Sequence, residues 1–398
     1  MDFSISEEYV DLKKMVRKFT ENELYPLEQK IIEREANRGL EDIPALDPND
    51  EKHLLKKAEE IGLWGLDVPE EFGGYGLGAL AKCLVVEELN HSIVPFVLPP
   101  DAPNLNFLLE CCNPKQREKY LLPYAKGEKR SALAVTEPNA GSDAGAISLR
   151  ADKKGDKWIL NGTKMWISYG TTADFFIVLA VSDRSKGKRG GMTAFLVDRG
   201  TPGMEIVRNL SVIGEMMSYE INFEDVALDG SQVLGEVGNA FVPLQNRFGV
   251  RRMELAARCC GMADRLIQLM IEQANIRSTF GKHLADRQSI QWWIADSTAE
   301  LHAVRLMTYH GAWKVDQGKN VRLEASTVKV QGTEMLTRVA DRAIQVHGAL
   351  GLSKEMPIEY IYRLVRILRI VEGPSEVHRW LLAREILKNE KPYDTLGS

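Results

Sequence analysis

Apolar side chains recur at helical spacing through the first 130 or so residues. Tyr9, Leu12, Val16 and Phe19 share one face, and Ser4 followed by Glu7 resembles a capping box. Leu80 to Leu89 reads as a second helix. Between about Ser131 and Leu234 the period shortens to runs bounded by turn residues: "DFFIVLAVSD", "MTAFLVDRG" and "MEIVRNLSVIG" read as strands. "KWILNGTKMWIS" carries an Asn161-Gly162 pair between alternating apolar positions, the pattern of a hairpin. From about Val242 the helical period returns and persists. Cys259, Ala263, Leu266, Met270 and Ala274 define one stripe; Ile290, Ile294, Leu301 and Val304 a second; Val328, Met335, Val339 and Val346 a third. The predicted fold is therefore multidomain α+β. An all-α domain spans 1–130, a barrel- or sandwich-like β domain 131–240, and a four-helix bundle 241–398.

Near the end of the bundle, "RIVEGPSEVHR" places Glu372 after the apolar run "YIYRLVRILRI" and before a Gly-Pro break. The run predicts a segment packed on the core, where an unpaired carboxylate is costly. Gly373 and Pro374 suit a helix start, with proline at the first helical position and Glu376 in the first turn. Two local readings follow. Glu372 is either a charge that snorkels to solvent or pairs with Arg366, Arg369 or Arg379, or a general base whose pKa apolar surroundings raise and the helix dipole lowers.

Composition narrows the function. At 398 residues with 44% hydrophobic and 27% charged side chains, the chain suits a soluble globular protein with a sizeable core. A net charge of -5, with basic and acidic residues interspersed, gives no footprint for nucleic acid. No apolar run has the length of a membrane span, and "MDFSISEEYVDLKK" resembles neither a secretory leader nor a transit peptide, so a cytoplasmic location is expected. The five cysteines and seven histidines fall in no metal-ligand spacing and predict buried thiols and no bound metal. "EEFGGYGLGAL" lacks the spacing of a dinucleotide-binding glycine loop and reads as a tight connection between helices.

Three further stretches carry chemistry together. "ALAVTEPNAGSDAG" offers Thr136, Ser142 and backbone donors near Gly141 to a heterocycle edge or a phosphate. "KMWISYG" sets Trp166 and Ser168 on one strand face, and "RSTFGK" supplies Arg277 and Phe280 at a helix end. With the order TEPxAGSD, MWIS, RxxFGK, QxxG and an acidic EGP segment, the chain resembles the acyl-CoA dehydrogenases over essentially its whole length.

That resemblance implies an FAD enzyme. Positions matching Leu133, Val135 and Thr136 would meet the flavin pyrimidine edge, and Trp166 and Ser168 would flank its reactive face. Gly141 and Ser142 would meet cofactor or the CoA moiety. Arg277, Phe280 and Gln288, with Gln345 and Gly348, would reach the FAD of a neighbouring subunit, which implies a homodimer or homotetramer. Glu372 falls on the usual base, Arg252 on an arginine near substrate, and Gly373 beside the thioester. The implied reaction is α,β-dehydrogenation of an acyl-CoA to the trans-2-enoyl-CoA, as in fatty-acid β-oxidation, with electrons passing to an electron-transfer flavoprotein. Alternatives on the same fold are an oxidase and a non-catalytic binding protein. Arg251 stands where a minority of the family places the base, and an arginine cannot serve there. Glu254 reads as a surface or packing residue and His347 as a packed one. Val371 replaces a common tyrosine, which predicts a wider acyl pocket, and "GPSEVH" resembles a subgroup associated with longer or substituted acyl chains.

Overall fold

A computed structural model describes residues 4–100, 104–213 and 217–389. The chain opens with α1 (Glu7–Phe19), α2 (Glu28–Arg38), α3 (Pro48–Glu60), α4 (Ala79–Leu89) and α5 (Asn104–Cys111). A short run follows whose ends are α6 (Pro114–Gln116) and α7 (Leu122–Ala125). The cap of α1 is Ser6, two residues beyond the predicted Ser4, and it accepts from the Tyr9 N–H at 3.4 Å. The glycine-rich stretch joins α3 to α4 through a single 3-10 turn, Glu70–Phe72.

The middle region holds β1 (Ser131–Ala134), β2 (Arg150–Lys154), β3 (Lys157–Ser168), β4 (Phe175–Val181), β5 (Met192–Asp198), β6 (Met204–Ser211), β7 (Met217–Asp229) and β8 (Val233–Leu234). They form a mixed sheet in the order β6-β7-β3-β2-β4-β5-β8, with β1 parallel to β4. Phe176, Val178 and Ala180 of β4 meet Trp158, Leu160, Phe195 and Phe223 in one core, so the sheet folds back on itself. The alternate residues Phe175, Ile177 and Leu179 pack against α5 and α7, which is why β4 is apolar on both faces.

Asn161-Gly162 is not a hairpin turn. It lies inside the continuous β3, at a register shift against β7. Gly162 has φ 144°, and a Cβ there would stand 2.9 Å from the Leu149 Cα, so a close backbone approach demands glycine. The Asn161 side chain bonds across the shift to Asp225, at 2.8 Å from the Asp225 N–H and 3.1 Å to its carboxylate. The turn chemistry serves a bulge.

The last region comprises α8 (Phe241–Ile276), a ribbon of β9 (Ser278–Thr279) and β10 (Lys282–His283), α9 (Gln288–Asp316), α10 (Arg322–His347), α11 (Pro357–Leu368) and α12 (Ser375–Asn389). All three predicted stripes face the core; only Ile294 is less than fully buried. That core continues into Val16, Phe19 and Leu54, so the two helical regions pack as one body beside the sheet. No described helix is long and apolar enough to cross a membrane.

Candidate active site

Ile358, Ile361, Leu364, Val365 and Leu368 seat α11 in the core, which delivers the chain to Glu372 in a fixed position. There the backbone turns left-handed twice, with φ 57° at Glu372 and 96° at Gly373. Helix α12 begins at Ser375, and the His378 N–H bonds to the Pro374 carbonyl, so Pro374 caps the helix rather than entering its first turn. The Glu372 carbonyl accepts from Arg252 Nε and His378 Nε2, each at 3.1 Å. Its carboxylate accepts from Arg247 Nη1 on both oxygens, at 3.0 and 3.1 Å. Different residues thus hold the backbone and the side chain.

The predicted partners Arg369 and Arg379 instead bind Glu334, at 3.5 and 2.7 Å. Arg247, Arg251 and Arg252, all on α8, surround Glu372, with Arg251 Nε 4.0 Å from a carboxylate oxygen. Burial pushes the Glu372 pKa up, but the three guanidiniums outweigh it and hold the carboxyl below its ordinary value. The Phe248 ring lies 5.3 Å from both the Arg247 and Arg252 guanidinium carbons and offers each a cation–π contact. Burial lowers His378 to about 4, so its imidazole is neutral. Its Nδ1 lies 3.1 Å from the Ser326 hydroxyl, which also donates to the Arg322 carbonyl. Glu254 is buried and pairs with Arg251 at 2.9 Å.

Arg247 and His378 were missed in the sequence. Arg247 Nε also donates to Asn104 of α5 at 3.2 Å, and Asn104 donates to Ser131 of β1 at 2.8 Å, so one chain of bonds joins all three regions at the carboxylate. The available signal was spacing: Arg247 and Arg251 are four apart and share a helix face.

On the sheet side, β1 carries Leu133, and Val135 and Thr136 follow where the chain leaves the strand. The Thr136 carbonyl accepts from the Met165 N–H at 2.8 Å, which sets Thr136 beside Trp166. A second register shift in β3, between Lys164 and Ile167, accompanies φ 61° at Trp166. Trp166 is 51% exposed, Ile167 is buried and Ser168 half-buried, so tryptophan and serine turn away from the core together. An open indole beside a threonine and a serine fits a flat heterocycle with polar edges.

Gly141 and Ser142 lie exposed in the next loop, whose base is the Glu137–Ala140 bridge. Glu137 is buried and accepts from Lys164 Nζ at 2.8 Å and from the Ser148 and Leu149 N–H groups at 2.6 and 2.9 Å. Lys164 also donates to the Val135 carbonyl at 2.8 Å, so one ammonium pins both sides of Thr136. Arg277, Phe280, Gln288, Gln345 and Gly348 are exposed on the bundle. "RSTFGK" folds into the β9–β10 ribbon, with Phe280 99% exposed at its tip. His347 is buried, with Nδ1 2.8 Å from the Ala343 carbonyl, as a packed residue would be.

Family models for the acyl-CoA dehydrogenase N-terminal, middle and C-terminal domains match residues 6–128, 132–226 and 241–387. The chain belongs to the acyl-CoA dehydrogenase family. Among its relatives is an (R)-benzylsuccinyl-CoA dehydrogenase of Thauera aromatica, 52% identical over 99% of this chain and 98% of that protein. The CarC subunit of the caffeyl-CoA reductase-Etf complex of Acetobacterium woodii is 33% identical over 96% of this chain and 99% of its own. Butyryl-CoA dehydrogenase from Megasphaera elsdenii superimposes with a TM-score of 0.85 at 30% identity, covering 97% of this chain and 100% of that one. An FAD complex of PigA gives 0.86 at 28% identity, over 98% and 100%. This acyl-CoA dehydrogenase is thus an oxidoreductase with FAD as its cofactor.

Gly373 offers a local test of the geometry. A Cβ on this residue would stand 2.9 Å from His378 Nε2, and its φ disfavours any L side chain by about 1–2 kcal/mol. In the FAD-loaded enzyme, Gly373→Ala is expected to lower kcat on the order of 10-fold, with a melting temperature within a few degrees of the parent. An unchanged kcat would show that the Glu372 peptide need not be held this way.

Proposed function

We propose that this enzyme removes the α-proton and the β-hydrogen of an acyl-CoA thioester to give the trans-2-enoyl-CoA, with Glu372 as the base. The observation that carries this reading is a part-buried, ionised carboxylate on a peptide held by Arg252 and His378, where the Arg247–Asn104–Ser131 chain of bonds ties it to the sheet. FAD supplies the hydride acceptor when bound. Thr136, Val135 and Leu133 meet its polar edge, Trp166 and Ser168 flank its ring, and Gly141 and Ser142 approach cofactor or CoA. The Glu372 N–H, adjoining Gly373, donates to the thioester oxygen and stabilises charge developing there. Substrate expels water around Glu372 and raises its basicity toward that needed for a weakly acidic α-proton.

Arg277, Phe280, Gln288, Gln345 and Gly348 reach the cofactor of a second copy, in a homodimer or homotetramer; the full exposure of Phe280 favours that reading. Electrons pass to an electron-transfer flavoprotein, in the cytoplasm, as the first step of a β-oxidation-type sequence. A benzylsuccinyl-CoA joins butyryl-CoA on the substrate panel because of the relative named for it. Anaerobic titration of the holoenzyme tests the reading: an acyl-CoA is expected to bleach the flavin and yield one enoyl-CoA per FAD. No bleaching by any straight, branched or carboxylated acyl-CoA would overturn it, and rapid reoxidation by air would make the enzyme an oxidase.

A further inference from the structure

The arginine cluster holds more positive charge than the base requires. Arg247, Arg251 and Arg252 face two carboxylates, Glu372 and Glu254. Around them, Lys82 of α4 is paired with Asp67 at 3.2 Å, while Lys329 of α10 is fully buried and its ammonium has no hydrogen-bond partner among the described residues. A buried excess of cations is costly unless an anion joins it. Arg252 already serves the Glu372 carbonyl, so Arg247 and Arg251 are the two guanidiniums aimed at the Glu372 carboxylate itself.

Arg247 Nη1 engages both Glu372 oxygens and weakens the carboxylate as a base, so proton abstraction gains if Glu372 turns from Arg247 toward substrate. Arg247 is only 7% exposed, and breaking this pair with nothing in return would strand a buried guanidinium. A second carboxylate would replace the lost partner. We propose that Arg247 and Arg251 form a receptor for a free carboxylate on the acyl chain, which exchanges for Glu372 on Arg247 and releases the base toward the α-carbon. Arg251 reaches outward from the pair, half-exposed and steadied by Glu254, so it meets the incoming carboxylate first. An acyl chain without that charge must free Glu372 unaided. The inference rests on Glu372 being the base and names the substrate class of the same site: acyl-CoAs with a free carboxylate near the reacting carbons.

Two thioesters that differ only in charge decide it: a benzylsuccinyl-CoA and the same compound with its free carboxylate methylated. With FAD-loaded enzyme and an artificial acceptor, kcat/KM is expected to favour the acid by on the order of 10²-fold or more. Arg251→Met should shrink that ratio at least tenfold, mainly through KM, and Arg251→Lys should restore part of it. Arg247→Met should also shrink it, through kcat. Calorimetric binding of the acid's non-dehydrogenable thioether analogue should weaken in Arg251→Met, and that of the methylated analogue should not follow. A wild-type ratio near one, or equal losses on both thioesters in Arg251→Met, overturns the receptor while leaving the dehydrogenase intact. If no acyl-CoA bleaches the flavin, the dehydrogenase reading itself has failed.

Discussion

Glu372→Gln is expected to slow anaerobic flavin reduction by acyl-CoA by about 10³- to 10⁴-fold, the range for loss of a positioned general base. The amide keeps the size of the side chain and its left-handed backbone, and it can still accept a hydrogen bond from Arg247. What it lacks is a site for the α-proton. Binding should survive, seen as the spectral shift that a thioester causes on entering the flavin site. A rate within about tenfold of wild type would assign the proton to another group. The pH profile gives a second reading. The arginines hold the Glu372 carboxyl below the ordinary glutamate range, so the acid limb of kcat/KM, which reports the free enzyme, should lie below that range. Arg247→Gln removes the strongest of the opposing positive charges and should move the limb upward. Linkage has the same sign. A carboxyl depressed on folding contributes stability above its unfolded pKa and loses it as pH falls through the folded one.

Much of this site was legible before any coordinates, and the reasons differ by residue. Glu372 stands out because a charge ends an apolar run at a Gly-Pro break, and that conflict survives folding as a part-buried carboxylate on a left-handed backbone. Trp166 was legible as an aromatic on a strand, but not the register shift that turns it outward, because alternation carries no record of bulges. The Asn161-Gly162 pair failed for a related reason. Its turn chemistry is real but is used inside a strand, where Leu149 leaves no room for a side chain. Spacing sets Arg247 and Arg251 on one helix face but not what that face meets, because arginines on a long amphipathic helix read as solvated charges; only the fold brings α8 against the segment 125 residues away. The lowering influence on Glu372 has the same origin: local pattern offers apolar neighbours against a helix dipole, whereas distant arginines supply the lowering.

Lys164→Met is the largest expected effect on stability, about 3–5 kcal/mol, because it strands Glu137 in a dry site. Lys164 is fully buried, and burial lowers its pKa to about 8 against the opposing pull of Glu137. Glu137, in turn, is held below its ordinary value: burial raises it, but Lys164 and the hydrogen bonds from Leu149 and Ser148 outweigh burial. Methionine fills the space and removes the charge, so the loss should be electrostatic rather than a cavity. The pH dependence separates the two. Without Lys164 the desolvated Glu137 should titrate above its unfolded value, and folding then takes up a proton. The penalty should therefore shrink as pH falls from 7 to 5, whereas a packing defect would cost the same at both. Urea unfolding of the FAD-loaded protein at the two pH values measures this. The functional consequence follows from the second bond of Lys164, to the Val135 carbonyl. Val135 and Glu137 bracket Thr136, so the variant that loosens them should also release FAD faster, by on the order of 10-fold if one or two hydrogen bonds to the cofactor are weakened. Destabilisation without faster FAD release would mean that the buried pair serves the sheet alone.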